Sequence, residues 1–164
     1  MSARGSRRLA EAAPYSYRAD PAVPAFPDDK VLVVFDGVCV LCSGFARFIL
    51  KRDIAKRDGA FAFRLTTAQS PLGQALYRHY GLDAEEFETN LVIADGRAYG
   101  KLDGVAVTGA RLGGAWRTLM LLRLLPRPLA DWLYDRVAQN RYALFGRTDS
   151  CMIPPPEWRE RFLE

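Results

Sequence analysis

The chain has 164 residues, 49% of them hydrophobic, and a formal net charge of +4. That length and apolar content fit one domain with a sizeable core and exclude a chain disordered over most of its length. Arginine far outnumbers lysine but is scattered among acids, so the basic balance reads as a solubility feature and no nucleic-acid partner is expected.

The first 28 residues contain Pro14, Pro21, Pro24 and Pro27 with Ala, Ser and Arg between them, which predicts an extended or disordered arm. Tyr15, Tyr17 and Phe26 are the residues able to pin it to the domain. The arm has Arg4, Arg7 and Arg8 but no apolar stretch after them, so it is not a standard secretory signal. An acid-poor, Arg-rich start has some likeness to a transit peptide, against which stand Glu11 and its shortness. The domain proper is expected over residues 29–164. Val31 to Phe35 is an unbroken apolar run, the pattern of a strand buried on both faces. Cys39 to about Asp58 reads as a helix ended by Gly59, with Phe45, Phe48 and Ile49 at helical spacing. Ala60 to Leu65 alternates and predicts a second strand, parallel to the first through a right-handed crossover.

Ser70 and Pro71 mark the start of a helix running to Tyr80, closed by Gly81. Asn90 to Ala94 and Arg97 to Leu102 are strands around a tight Asp95-Gly96 hairpin. A helix follows from about Val105 to Leu112. The order strand, helix, strand, helix, hairpin, helix predicts an α/β architecture with the thioredoxin-like βαβαββα core and a four-stranded mixed sheet. Beyond about residue 115 an α-helical extension is expected: Arg117 to Leu125, Leu129 to about Tyr142, and a short helix near Glu157 to Leu163. The longest apolar segment, Leu119 to Leu122, is cut by Arg123, so no membrane span is predicted.

The three cysteines are Cys39, Cys42 and Cys151, an odd and low number that argues against a secreted disulfide scaffold and for a reducing, cytoplasmic setting. Cys39 and Cys42 form a Cys-x-x-Cys at a strand-to-helix junction. A thiolate there faces free backbone N–H groups and the positive end of the helix dipole, which lower its pKa. Cys39 is the candidate attacking thiolate at an exposed helix start, and Cys42, one turn on, the resolving thiol. The alternative is two structural thiols in an apolar junction. Val40 and Leu41 add no charge between them, which predicts a reducing or intermediate potential.

Asp36 is the third candidate catalytic residue. It either anchors the loop as a turn or cap residue or accepts a proton from Cys42, and the two roles are compatible.

These residues lie in a wider pattern. Asp36-x-x-Cys39-x-x-Cys42, Phe48 to Asp53, Gln69-Ser70, Asp95-Gly96, Leu124 to Leu129, Tyr134-Asp135, Asn140-Arg141-Tyr142 and Phe145-Gly146-Arg147 together resemble the DCC family (DUF393) of thiol-disulfide oxidoreductases. The resemblance spans residues 30–164. It implies a thioredoxin-like fold and disulfide exchange with a disulfide-containing protein or a small thiol as substrate, and no cofactor. The chain departs from the wider thioredoxin pattern at Thr89-Asn90, where a proline commonly precedes the third strand.

Other readings remain beside this one. Cys39, Cys42, Cys151 and His79 make up a Cys3His zinc set, but without close spacing in the second ligand pair; no metal is expected. His79 alone reads as a surface or packing residue. The opening Val34 to Val38 is similar to that of HAD phosphatases, but the second aspartate they need is missing. Trp116, Leu119, Leu122, Leu125, Trp132 and Leu133 among arginines form a basic amphipathic segment. Packing on the sheet is expected there, with membrane contact or a non-catalytic binding module as the alternatives. The oligomeric state is left open.

Overall fold

The computed structural model describes residues 9–54 and 61–163. The expected end of the first helix at Asp58-Gly59 falls outside the described residues. Four strands form one mixed sheet: β1 (Val31–Phe35), β2 (Phe63–Thr67), β3 (Leu91–Ala94) and β4 (Arg97–Gly100), in the order β2-β1-β3-β4. β1 and β2 are parallel, Val33 opposite Leu65; β3 runs antiparallel to both β1 and β4. The helices are α1 (Val40–Ile54), α2 (Pro71–His79), α3 (Lys101–Leu112) and α4 (Arg127–Phe145). This is the expected α/β, thioredoxin-like βαβαββα core with a helical C-terminal extension.

Every residue of β1 is buried, as its unbroken apolar run requires. Its side chains alternate between two cores. Leu32 and Val34 join α2 through Leu72, Leu76 and Tyr77. Val31, Val33 and Phe35 join α1 through Ala46, Ile49 and Leu50, and α3 through Val107 and Leu112. Each large aliphatic side chain so buried stabilises the fold by about 1.5–3 kcal/mol.

Local chemistry sets several boundaries. Ser70 caps α2 by accepting the Gly73 N–H at 3.0 Å, and Pro71 follows at the first helical position. Asp95 and Gly96 both have positive φ (51° and 75°), the two-residue turn that Asp-Gly favours. β2 begins at Phe63, three residues later than the alternation predicts. Asp53 takes the N–H groups of Ala62 and Phe63, at 2.9 and 3.1 Å, so the backbone there is capped by a side chain before the strand pairs. α3 starts at Lys101, four residues early, because the chain turns at Gly100 instead of continuing β4 to Leu102.

Residues 9–28, expected as an extended or disordered arm, contain a 3-10 helix (Ser16–Ala19) and bury Leu9, Tyr17 and Val23 against the α2 face of the sheet. His79 helps hold them, its ring bonded to Asp20 at 2.6 Å and to Ser16 at 2.9 Å. Residues Gly114–Leu124 form a 3-10 helix where an α-helix is expected. The C-terminal 3-10 helix (Pro156–Arg161) is locked by Arg161, which is almost wholly buried and pairs with Asp53 at 2.5 Å. Phe162 bridges to Leu65 beside β2. No helix among the described residues is long and apolar enough to cross a membrane.

Candidate active site

Cys39 occupies the N-cap position of α1. Its carbonyl accepts the Ser43 N–H at 2.9 Å, and its Sγ accepts the Cys42 N–H at 3.4 Å. A serine at an N-cap uses its hydroxyl in the same way, so the sulfur stands in for a capping oxygen. Both cysteines are free thiols. The Cys42 thiol donates a hydrogen bond to Cys39, and that bond is the main reason the Cys39 pKa falls to about 6. The Cys42 N–H and the positive charge of Arg141 add to the effect, while burial and Asp36 oppose it. The same S–H···S bond, with burial and the neighbouring Cys39 charge, pushes the Cys42 thiol well above its ordinary value. The pair therefore releases one proton readily and holds the second.

Cys39 has no accessible surface, whereas Cys42 is half-buried. The expectation that Cys39 lies at an exposed helix start is thus corrected. Its cover is a strap, residues 146–152, that crosses the motif loop. Cys39 bridges to Arg147 in antiparallel fashion. The Thr148 N–H donates to Val38 O at 2.9 Å, the Met152 N–H to Gly37 O at 2.9 Å, and the Val40 N–H to Gly146 O at 3.4 Å. Cys151 rides on this strap: a Cβ placed on Gly37 would stand 3.3 Å from the Cys151 Cβ.

Asp36 is buried at the end of β1, and four donors reach its carboxylate. Oδ1 accepts the Val38 N–H at 3.1 Å and the Gln69 amide at 2.7 Å. Oδ2 accepts the Arg141 guanidinium at 3.3 Å and the Tyr142 hydroxyl. Gln69 also receives the Gly37 N–H at 3.1 Å, so it ties β2's end to the motif loop. These bonds favour the anchoring role for Asp36, since the acceptor positions of its carboxylate are all engaged.

Arg141 and Tyr142 were not singled out by sequence reasoning beyond their place in the family pattern. Arg141 is buried and also donates to Ala138 O at 2.7 Å and Glu86 O at 2.6 Å. Tyr142 is pushed up to about 12 by burial and by its bond to Asp36. A signal for them was present: Asp131, Tyr134, Asp135, Ala138, Arg141 and Tyr142 repeat at helical spacing on one face of α4. That polar face is the one turned inward.

Thr89, at the loop before β3, accepts the Tyr77 hydroxyl on its carbonyl at 2.5 Å, and the Asn90 N–H donates to the Tyr134 hydroxyl at 3.1 Å. Among the described residues there is no cis peptide bond. Nor do the described residues contain a group of three His, Cys, Asp or Glu side chains able to hold a metal; His79 is engaged with Asp20 and Ser16.

A profile of the DCC1-like thiol-disulfide oxidoreductase family matches residues 33–147. The chain is 39% identical over 132 residues to the uncharacterized protein YuxK of Bacillus subtilis, covering 80% of this chain and 93% of that one. It is 31% identical over 127 residues to a DCC family protein of Arabidopsis thaliana whose name places it in the chloroplast, covering 77% of this chain and 71% of that one. No solved structure matches significantly. The matched stretch runs from β1 through the cysteine pair to the strap, and on it the chain belongs to the DCC1-like thiol-disulfide oxidoreductase family.

Proposed function

We propose that the protein is a thiol-disulfide oxidoreductase in which Cys39 is the nucleophile and Cys42 the resolving thiol. The observation that carries this reading is the S–H···S bond from Cys42 to Cys39 at a helix N-cap, which leaves Cys39 substantially ionised at neutral pH.

The Cys39 thiolate attacks a substrate disulfide R–S–S–R′. A Cys39–S–S–R bond forms and R′ leaves as a thiolate, which takes up a proton. Cys42 then loses its proton and attacks the Cys39 sulfur. The Cys39–Cys42 disulfide forms and R leaves as a thiol. Two electrons pass from the dithiol to the substrate. Asp36 holds the loop and Arg141 supplies positive charge beside the thiolate. Cys39 has no accessible surface, so the strap beside it must shift before the first attack. We place the reaction in the cytoplasm, with a disulfide-bearing protein or a small disulfide as substrate.

The test is exchange with a small aromatic disulfide. Cys39→Ser should abolish it, and Cys42→Ser should stop at a mixed disulfide on Cys39 detectable by intact mass. Wild-type turnover by Cys39→Ser protein would refute the assignment.

A further inference from the structure

Helix α4 turns its polar face inward, and Trp132 and Leu133, expected to pack on the sheet, stand exposed instead. Its last inward residue, Tyr142, is held against the motif loop, where its hydroxyl donates to Asp36. Two guanidinium groups stand over this one ring, Arg141 at 4.3 Å and Arg147 at 5.2 Å from its centroid. They differ in what else they hold. Arg141 is buried and donates to Ala138 O, Glu86 O, Asp36 and the Tyr142 hydroxyl. Arg147 is exposed, and its guanidinium has no hydrogen-bond acceptor and no carboxylate partner among the described residues. Asp149, two residues further along the strap, is exposed and does not pair with it.

Arg147 is also the residue directly opposite Cys39 where the strap bridges to the motif loop. Residues so opposed project their side chains to the same side, with Cβ atoms about 4.5–5.5 Å apart. A free guanidinium is thus set beside the nucleophile. Its seat, the Tyr142 ring, belongs to α4 and not to the strap that has to shift. The Cys39 thiolate and Asp36 are negative, and Arg141, bonded to Asp36 at 3.3 Å, is positive. Without Arg147 this group has one negative charge in excess and repels an arriving anion. With it the group is balanced, and the charge left unpaired toward solvent is positive. A carboxylate a few bonds from the attacked sulfur lies within its reach, and a guanidinium takes a carboxylate through two parallel N–H donors. One free cation matches one carboxylate of a small molecule, not an extended acidic surface.

We propose, on the basis of the exchange chemistry assigned to Cys39 above, that Arg147 is the substrate-recognition residue of this site and selects small disulfides carrying a carboxylate close to the sulfur, the disulfides of mercaptocarboxylic acids. The Cys39 thiolate displaces one half of the diacid as its thiolate, which takes up a proton, and the bond from Cys39 to the other half forms as the substrate S–S bond breaks. Arg147 holds the carboxylate of the half that stays attached until Cys42 attacks Cys39 and releases it as a thiol.

The experiment follows Cys39 of the reduced full chain by acid quenching and intact mass as it reacts with dithiodiglycolate, a diacid, or with cystamine, a diamine of similar size. The readout is the ratio of the two rates. A change in how far the strap opens multiplies both rates and cancels in the ratio. Arg147→Gln should lower the diacid-to-diamine ratio roughly tenfold, and Arg147→Lys, which keeps the charge, should restore most of it. High salt should shrink the difference between wild type and Arg147→Gln, because the group is exposed. An equal ratio in wild type and Arg147→Gln would overturn the proposal and leave disulfide exchange standing. No reaction of Cys39 with either disulfide would overturn the exchange reading and this one with it. A preference lost in Arg147→Gln only for peptide disulfides flanked by aspartate, and not for the small diacid, would give Arg147 to protein substrates and overturn the proposal.

Discussion

Arg141 reaches across 105 positions of sequence to place its guanidinium 3.3 Å from the carboxylate of Asp36. The contact joins the end of β1 to the last turns of α4. Both side chains are almost wholly buried, and both stand beside the cysteine pair, where their charges act on Cys39 in opposite directions. The pair thus has a structural and an electrostatic consequence.

Removing one partner separates them. Arg141→Met leaves the Asp36 charge buried without its cation and should destabilise the fold by about 3–5 kcal/mol, measured by urea unfolding. It should also raise the Cys39 pKa, measured by the thiolate's ultraviolet absorbance. Arg141→Lys should restore more of the pKa than of the stability, because lysine keeps the charge and loses the planar set of donors that reaches Ala138, Glu86 and Asp36.

The thiol pair predicts a pH dependence of defined sign. Folded Cys39 titrates at about 6, below the value of about 8.5 for an unfolded cysteine. Its ionisation therefore contributes stability that is complete above the unfolded value and is lost as pH falls through 6. Cys42 stays protonated in both states across this window, and above it the tighter hold of the folded state on that proton reverses the trend. Reduced wild-type protein, compared with Cys39→Ser, should gain stability from pH 6 to about 8.5 and lose it beyond. Cys42→Ala removes the main cause of the shift and should move the Cys39 titration up toward the ordinary range.

The strap predicts gated access. Thr148→Pro removes the N–H that donates to Val38 O at 2.9 Å. Alkylation of Cys39 by iodoacetamide at a fixed thiolate fraction should accelerate several-fold. An unchanged rate would mean that the strap is not what limits access.

The hairpin predicts a coupling. A Cβ on Gly96 would fall 2.5 Å from the Tyr15 ring, at a φ of +75°. Gly96→Ala should destabilise by more than the roughly 1–2 kcal/mol that the left-handed conformation alone costs. Adding Tyr15→Ala should recover the excess, giving a non-zero interaction energy in a double-mutant cycle.

How much of this was legible depends on how local its cause is. Val31 to Phe35, the Asp95-Gly96 turn and the Ser70-Pro71 cap each carry their signal within a few residues, and the structure has all three. The start of β2 was misplaced because Asp53, ten positions upstream, claims the Phe63 N–H. β4 was drawn too long because Lys101 reads as an exposed strand residue; its burial beside Asp135 depends on a helix 34 positions away. The Cys39–Cys42 spacing and its helix start were plain in the sequence. The burial of Cys39 was not, since its cover comes from residues 146–152. Nor was the inverted face of α4, because periodicity fixes which residues share a face and not which way that face turns.

Cys39 and Cys42 should interconvert between dithiol and disulfide. Equilibrating the protein in buffers of graded dithiol-to-disulfide ratio, quenching in acid and counting alkylated thiols by mass reads that exchange. One two-electron transition is expected, absent from Cys39→Ser and unchanged by Cys151→Ser. Two thiols on Cys39 and Cys42 that stay reduced at every ratio would contradict it.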